Sequence, residues 1–159
     1  MKLAAHHYLD EQQIPYQAQA FPESTEKGAA NVAHALGFQE RQMVKTLIYT
    51  LVDTDESILV MVGGDQNVKS GLLKKAAGSR NIKMASPERI QELTGYQIGS
   101  IPPFCWQPEG FRSFLDSSLL QEDQLGVGTG QWGQEIIITP QDLVRAANAI
   151  VIQLVPDEG

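Results

Sequence analysis

Apolar and polar positions along the chain change period several times, and the changes mark out helices and strands without a strict β-α alternation. Residues 2–13 fit a helix, and Tyr16-Gln17-Ala18-Gln19-Ala20-Phe21 alternates as a strand does. Ser24 or Thr25 suits the N-cap of a helix running to about Leu36, with Gly37 as its stop. Two strongly apolar runs, about 44–52 and 57–63, are separated by Asp53-Thr54-Asp55-Glu56, a link short enough to make them an antiparallel pair. A helix over about 68–77 places Val68, Leu72, Leu73 and Ala76 on one face and stops at Gly78. Ser86-Pro87-Glu88 opens another that ends near Gly95, with serine as cap and proline in the first turn. Short strands follow around 111–120 and at Glu135-Ile136-Ile137-Ile138. Thr139-Pro140-Gln141-Asp142 then starts a last helix, and residues 149–155 read as a closing strand.

Two local misfits stand out against this pattern. In Val44-Lys45-Thr46-Leu47-Ile48-Tyr49, period-2 alternation puts Lys45 on one face with Leu47, Tyr49 and Leu51, where an ammonium is costly unless acceptors meet it. The plainer possibility is a strand-end lysine whose stem covers the core while its charge reaches water. The second misfit is Gly99-Ser100-Ile101-Pro102-Pro103, whose adjacent prolines fix much of the backbone and remove two donors. That can be simple loop closure. It can equally be a rigid template that presents carbonyl groups in set directions.

Composition narrows the function classes. A chain of 159 residues, 42% hydrophobic and 19% charged, suits one globular domain spanning 1–159. The longest apolar runs are strand-sized, well short of the roughly 20 residues of a membrane span, so no membrane partner is expected. Met1-Lys2-Leu3-Ala4-Ala5-His6-His7 has no apolar signal core, and the lone Cys105 rules out an internal disulfide, so a reducing cytoplasm is expected. A net charge of -7 argues against general binding of nucleic acid through a basic surface, and DNA is not an expected partner. Lys69, Lys74, Lys75, Arg80 and Lys83 nevertheless cluster within 69–83, enough to hold a few phosphates, although a solvated helix face is the more usual reading of such a run.

Several familiar chemistries find no support. Residues 128–133 satisfy G-x-G-x-x-G, but a strand follows where a dinucleotide site needs a helix, so a glycine-rich turn between strands is expected. His6, His7 and His34 lack metal-ligand spacing, and Cys105 has no histidine nearby. No metal and no cofactor are expected. Nor does any serine lie in a nucleophile elbow, and a lone cysteine is more often a small buried hydrophobe.

The chain carries, in this order, Leu36-Gly37, Val44-Lys45-Thr46-Leu47, Gly63-Gly64-Asp65, Ala85-Ser86-Pro87-Glu88, the G-x-x-x-P loop at 99–103, and Gly130-Gln131-Trp132-Gly133 leading to Glu135. In these the chain resembles, over nearly its whole length, the YbaK/prolyl-tRNA synthetase-associated domain family of aminoacyl-tRNA editing proteins. The resemblance implies an α+β fold, a single domain with a curved, partly closed mixed β-sheet flanked by helices. It also implies metal-independent hydrolysis of wrongly attached amino acids from the 3′ end of tRNA, with a synthetase as a possible further partner. Lys45 then falls at the family's key functional lysine, near the terminal adenosine. Gly99 and Pro103 frame the catalytic loop, with Ser100, Ile101 and Pro102 shaping the aminoacyl pocket. Thr46 and Glu135 fall at positions that line the same site in some relatives. Two departures bear on the pocket: Cys105 follows Phe104 where relatives often carry glycine, and Pro102 is an additional proline.

Such a function suits the residue chemistry. An aminoacyl ester is already activated, so a catalyst needs mainly to position water and stabilise the developing oxyanion. A lysine ammonium is cationic at neutral pH and serves as an anchor rather than a base; the proton then moves through water or a ribose hydroxyl, as in the family's substrate-assisted scheme. Backbone groups of 99–103 could hold the water or the substrate ammonium, and Glu135 could attract that ammonium. Small side chains, alanyl or cysteinyl above all, are the expected substrates, with proline tRNA as a candidate acceptor, because binding alone discriminates them poorly. The alternative from another class is a noncatalytic module of the same fold that binds an aminoacylated tRNA end or a synthetase.

Overall fold

The computed structural model describes residues 2–157. Along the chain run α1 (Ala4–Glu11), β1 (Gln17–Ala20), α2 (Ala29–Leu36), β2 (Lys45–Leu51), β3 (Glu56–Val62), α3 (Ser70–Ala77), β4 (Ile82–Met84), α4 (Pro87–Thr94), β5 (Ser113–Asp116), β6 (Leu125–Gly128), β7 (Gln134–Ile138), α5 (Pro140–Ala147) and β8 (Ile150–Ile152). The strands form a five-stranded sheet in the order β4-β2-β3-β5-β8 and a three-stranded sheet in the order β1-β7-β6. The α+β class is as expected, but the expected partial closure of the sheet is not found: the strands split into two sheets that, among the described residues, are joined by one bridge, between Met43 and Gly126, too little pairing to close them.

The β2–β3 hairpin pairs Lys45 with Val62 through to Leu51 with Glu56, which sends alternate side chains to opposite faces. One face, with Leu51, Ile58, Val60, Val62 and Phe114, is covered by Leu73 and Ala77 of α3. The other, with Ile48, Leu59, Met61 and Leu115, packs with Leu9 of α1, Ile90 of α4, Leu143 of α5 and the inner residues of β6 and β7. Both faces of the central strands of this sheet are therefore buried, while the edge strands β4 and β8 stay largely exposed. A smaller cluster, Phe21, Val32, Ala33 and Met43, fastens α2 beside the bridge between the two sheets.

Most of the expected punctuation is present. Gly37, Gly78 and Gly95 close their helices at φ of 80°, 72° and 78°. Ser86 and Thr139 cap α4 and α5 by accepting from the Arg89 and Asp142 N–H groups. Other features differ from expectation. Helix α2 begins at Ala29 behind Gly28 and not near Thr25, because residues 22–28 are drawn away to pack around Trp132. Within 111–120 there is one strand, β5, followed by a 3-10 helix, Ser117–Gln121. Strands β5 and β8 add to β3 in parallel, a pairing that sequence periodicity does not encode.

Candidate active site

Lys45 opens β2, where the hairpin ends at Gly63 and Gly64. A Cβ on Gly64 would lie 2.3 Å from the Glu40 carbonyl oxygen, 2.5 Å from Ala29 Cβ and 2.7 Å from the Met43 carbonyl oxygen. Only glycine allows that approach, and the result is that the N-terminus of α2 sits beside the start of β2. Arg41 and Asp65, an ion pair, hold the same junction from outside. Lys45 itself is half-buried, with Nζ 3.5 Å from Asn67 Oδ1 and no carboxylate partner among the described residues.

A pocket of about 240 Å³ opens at this junction. Its walls come from four places: Gly28, Ala29 and Val32 at the start of α2; Met43 to Leu47 leading into β2; Ile98, Gly99 and Ile101 from the G-x-x-x-P loop; and Gly128, Trp132 and Glu135 from the small sheet. Of the residues singled out from the sequence, Lys45, Thr46, Gly99, Ile101 and Glu135 all border this one space. Ser100, Pro102 and Pro103 do not. The Ser100 carbonyl accepts from the Gly130 N–H at 2.7 Å, the Pro102 carbonyl from Trp106 Nε1 at 2.6 Å and the Pro103 carbonyl from Gln107 Nε2 at 2.8 Å. The prolines thus brace the loop from behind while Gly99 and Ile101 face the cavity.

The glycines of β6 set the opposite wall. Gly126 makes room for the Met43 side chain, since a Cβ there would lie 2.6 Å from Met43 Cε and 3.2 Å from Glu135 Oε2. Glu135 lies against this apolar surface with no hydrogen-bond or ion-pair partner among the described residues. Burial accordingly pushes its carboxyl up to about 8, so that it holds a proton near neutrality. Thr46 Oγ1 is enclosed and unpartnered as well. The site therefore offers a cation at one side, a carboxyl that desolvation keeps protonated near neutrality at another, and apolar walls from Val32, Met43 and Ile101.

Other candidates play structural parts. The run at 128–133 joins antiparallel β6 and β7, a turn between strands as expected. His6 Nδ1 accepts from the Leu3 N–H at 2.9 Å and is buried at the start of α1. Cys105 is half-buried, at 4.0 Å from the Tyr96 hydroxyl, and burial raises its thiol. Lys27, Val32 and Met43 are pocket residues that the sequence did not single out, and Trp132 stood only in a motif, without a site role. Trp132 carried a signal, a large aromatic inside a glycine-rich turn.

The description of the aminoacyl-tRNA editing domain matches residues 23–146. The chain belongs to the aminoacyl-tRNA editing domain family. Within that family it is 23% identical over 158 residues to the candidate Cys-tRNA(Pro)/Cys-tRNA(Cys) deacylase EbsC of Enterococcus faecalis, covering 99% of this chain and 95% of that protein. It is 28% identical over 94 residues to the multifunctional Ser/Thr-tRNA deacylase ProXp-y of Escherichia coli, covering 58% of this chain and 56% of that one. A solved structure described as a candidate trans-editing enzyme for prolyl tRNA synthetase superposes with a TM-score of 0.86 at 25% identity, covering 99% of both chains. Editing-domain relatives thus share this chain's fold along its described length.

Proposed function

We propose that this protein is a free-standing aminoacyl-tRNA deacylase that hydrolyses the ester of mischarged tRNA carrying a small amino acid such as alanine or cysteine, with proline tRNA as a candidate acceptor. The observation that carries this is the convergence of Lys45, Gly99, Ile101 and Glu135, far apart in sequence, on one small pocket of an editing-family fold. Deacylases named among the relatives support the same reaction class.

In this scheme Lys45 anchors the acceptor end and stabilises charge that develops on the ester oxygen. The backbone of Gly99 and Ile101 holds the attacking water or the α-ammonium, and the braced prolines keep that backbone in place. Glu135 meets the substrate ammonium, and the arriving cation favours its carboxylate form. The proton released by the attacking water passes to solvent or to a ribose hydroxyl, and the ribose oxygen leaves with a proton. A pocket of about 240 Å³ suits a small side chain.

The deciding experiment is hydrolysis of tRNAs charged with alanine, cysteine, serine and proline by the wild type and by Lys45→Ala. Selective, lysine-dependent release supports the deacylase and names its substrate. Absence of release from every member by folded protein overturns it in favour of a noncatalytic module that binds the aminoacylated end or a synthetase.

A further inference from the structure

Trp132 is the aromatic residue among those that border the pocket, and it is held firmly. Its ring meets Phe21 edge-on with centroids 4.9 Å apart, and its Nε1–H donates to the Thr25 carbonyl at 3.2 Å. The ammonium of Lys27 lies 3.8 Å from the ring centroid. Lys27 has no carboxylate partner among the described residues, although the chain carries 19 acidic side chains. An exposed ammonium on an indole face is weakly held and readily displaced. The same pocket is bordered by Ile98, 59% exposed and the most exposed large apolar side chain among the described residues. An indole fixed by Phe21 and Thr25, with an exposed ammonium on its ring and an exposed isoleucine on the same pocket, is more than a small aminoacyl group requires.

Space gives the second part of the argument. Pockets that enclose a complete drug-sized ligand run from roughly 300 to 1,000 Å³. At about 240 Å³ this one has room for an aminoacyl group and its ester but not for a purine as well. The nucleobase that accompanies the ester must lie at the mouth.

We propose that Trp132 is a stacking platform for the terminal nucleobase of the acceptor end, with Lys27 as its displaceable cover and Ile98 as a second apolar contact for the base. The base replaces the ammonium on the indole face, and Lys27 turns to the adjoining phosphodiester. This rests on the assignment of the pocket to an aminoacyl-tRNA end.

Two non-hydrolysable probes test it, both carrying as an amide the amino acid that the wild type releases fastest: a 3′-aminoacylamido-3′-deoxyadenosine and the matching ribose methyl glycoside without a base. Trp132→Leu should weaken the adenosine probe on the order of 5- to 100-fold and leave the glycoside unchanged, while Trp132→Phe stays within about 3-fold of wild type. Equal weakening of both probes, or of neither, overturns the platform. A second readout is independent of any variant: the adenine H2 resonance of the probe bound to wild type should move upfield under the indole ring current, and an unshifted resonance overturns the platform. Release of no amino acid by the wild type would overturn the pocket assignment, and the platform with it. Normal release with unchanged probe binding by Trp132→Leu would overturn the platform alone.

Discussion

Gly128 and Ser100 meet backbone to backbone: a Cβ on Gly128 would stand 2.8 Å from the Ser100 carbonyl oxygen, which already accepts from the Gly130 N–H. The rigid loop of the pocket is thus seated on the end of β6. Because the clashing atoms are main chain, Gly128→Ala has no flexible neighbour to push aside. It should cost about 1–3 kcal/mol of stability and displace Gly99 and Ile101, lowering deacylation. Gly71→Ala on α3, which has open space around it, serves as the control and should retain activity and wild-type stability or better. Urea unfolding of both variants, set beside their turnover, separates the seat from a general intolerance of alanine.

Lys45→Ala should lower kcat/KM for aminoacyl-tRNA by about 100-fold or more while shifting stability by less than about 0.5 kcal/mol. The basis for the split is that Nζ has a single long contact, to Asn67, and no ion pair among the described residues. Circular dichroism melts alongside single-turnover assays check both halves. Full activity in the variant would remove Lys45 from the mechanism.

Glu135 ties stability to pH with a definite sign. Its carboxyl ionises near 4.5 in the unfolded chain and at about 8 in the folded protein. Between those values the native state holds a proton that the unfolded chain has released, so this group makes stability fall as pH rises, with the loss complete above about 8. Glu135→Gln, permanently neutral, should therefore match wild type near pH 4.5 and exceed it increasingly towards pH 8. Thermal melts of both proteins across that range give the answer, and parallel curves would show the carboxylate to be solvated.

Among the described residues, Lys2, Arg41, Arg89, Arg112 and Arg145 each pair with a carboxylate. Apart from Lys27 and Lys45 at the pocket, the cations left without one are Lys69, Lys74, Lys75, Arg80 and Lys83, all on or beside α3 and β4. Of these, Lys74, Lys75 and Arg80 border one surface hollow, a grouping that could hold phosphates. Replacing Lys74, Lys75 and Arg80 together with glutamine should weaken tRNA binding and reduce the slope of log K against log salt by about 2, given roughly 0.7–0.9 per lost contact. Hydrolysis of 3′-aminoacyl adenosine should not change. An unaltered salt slope would return the cluster to an ordinary solvated surface.

Where each element carried its own local signal, sequence and structure agree. The β2–β3 hairpin has dense β-branched and apolar runs, and α4 and α5 have their caps. Lys45 and the loop at 99–103 stood out because each violates its local pattern. Strand β6, Leu-Gly-Val-Gly, did not, since half its residues are glycines selected for what approaches them and not for strand propensity. Strand β4, three residues in a polar stretch, exists because β2 has a free edge to pair with. The late start of α2 has the same kind of cause: packing around Trp132 outweighs the capping potential of Ser24 and Thr25. Lys27, Val32 and Met43 belong to the pocket only through tertiary folding, and nothing in their neighbours along the chain marks them.

The single bridge between Met43 and Gly126 has a consequence for how such a site diversifies. Lys45 and Thr46 belong to one hydrogen-bonded ladder, and Gly128 and Glu135 to the other. The gap between them is spanned by side chains, Met43 foremost, and by almost no shared main-chain pairing. Each ladder keeps its own register whatever fills that gap. Exchanging one or two residues along the seam can therefore widen, narrow or re-polarise the chamber without unpicking either half.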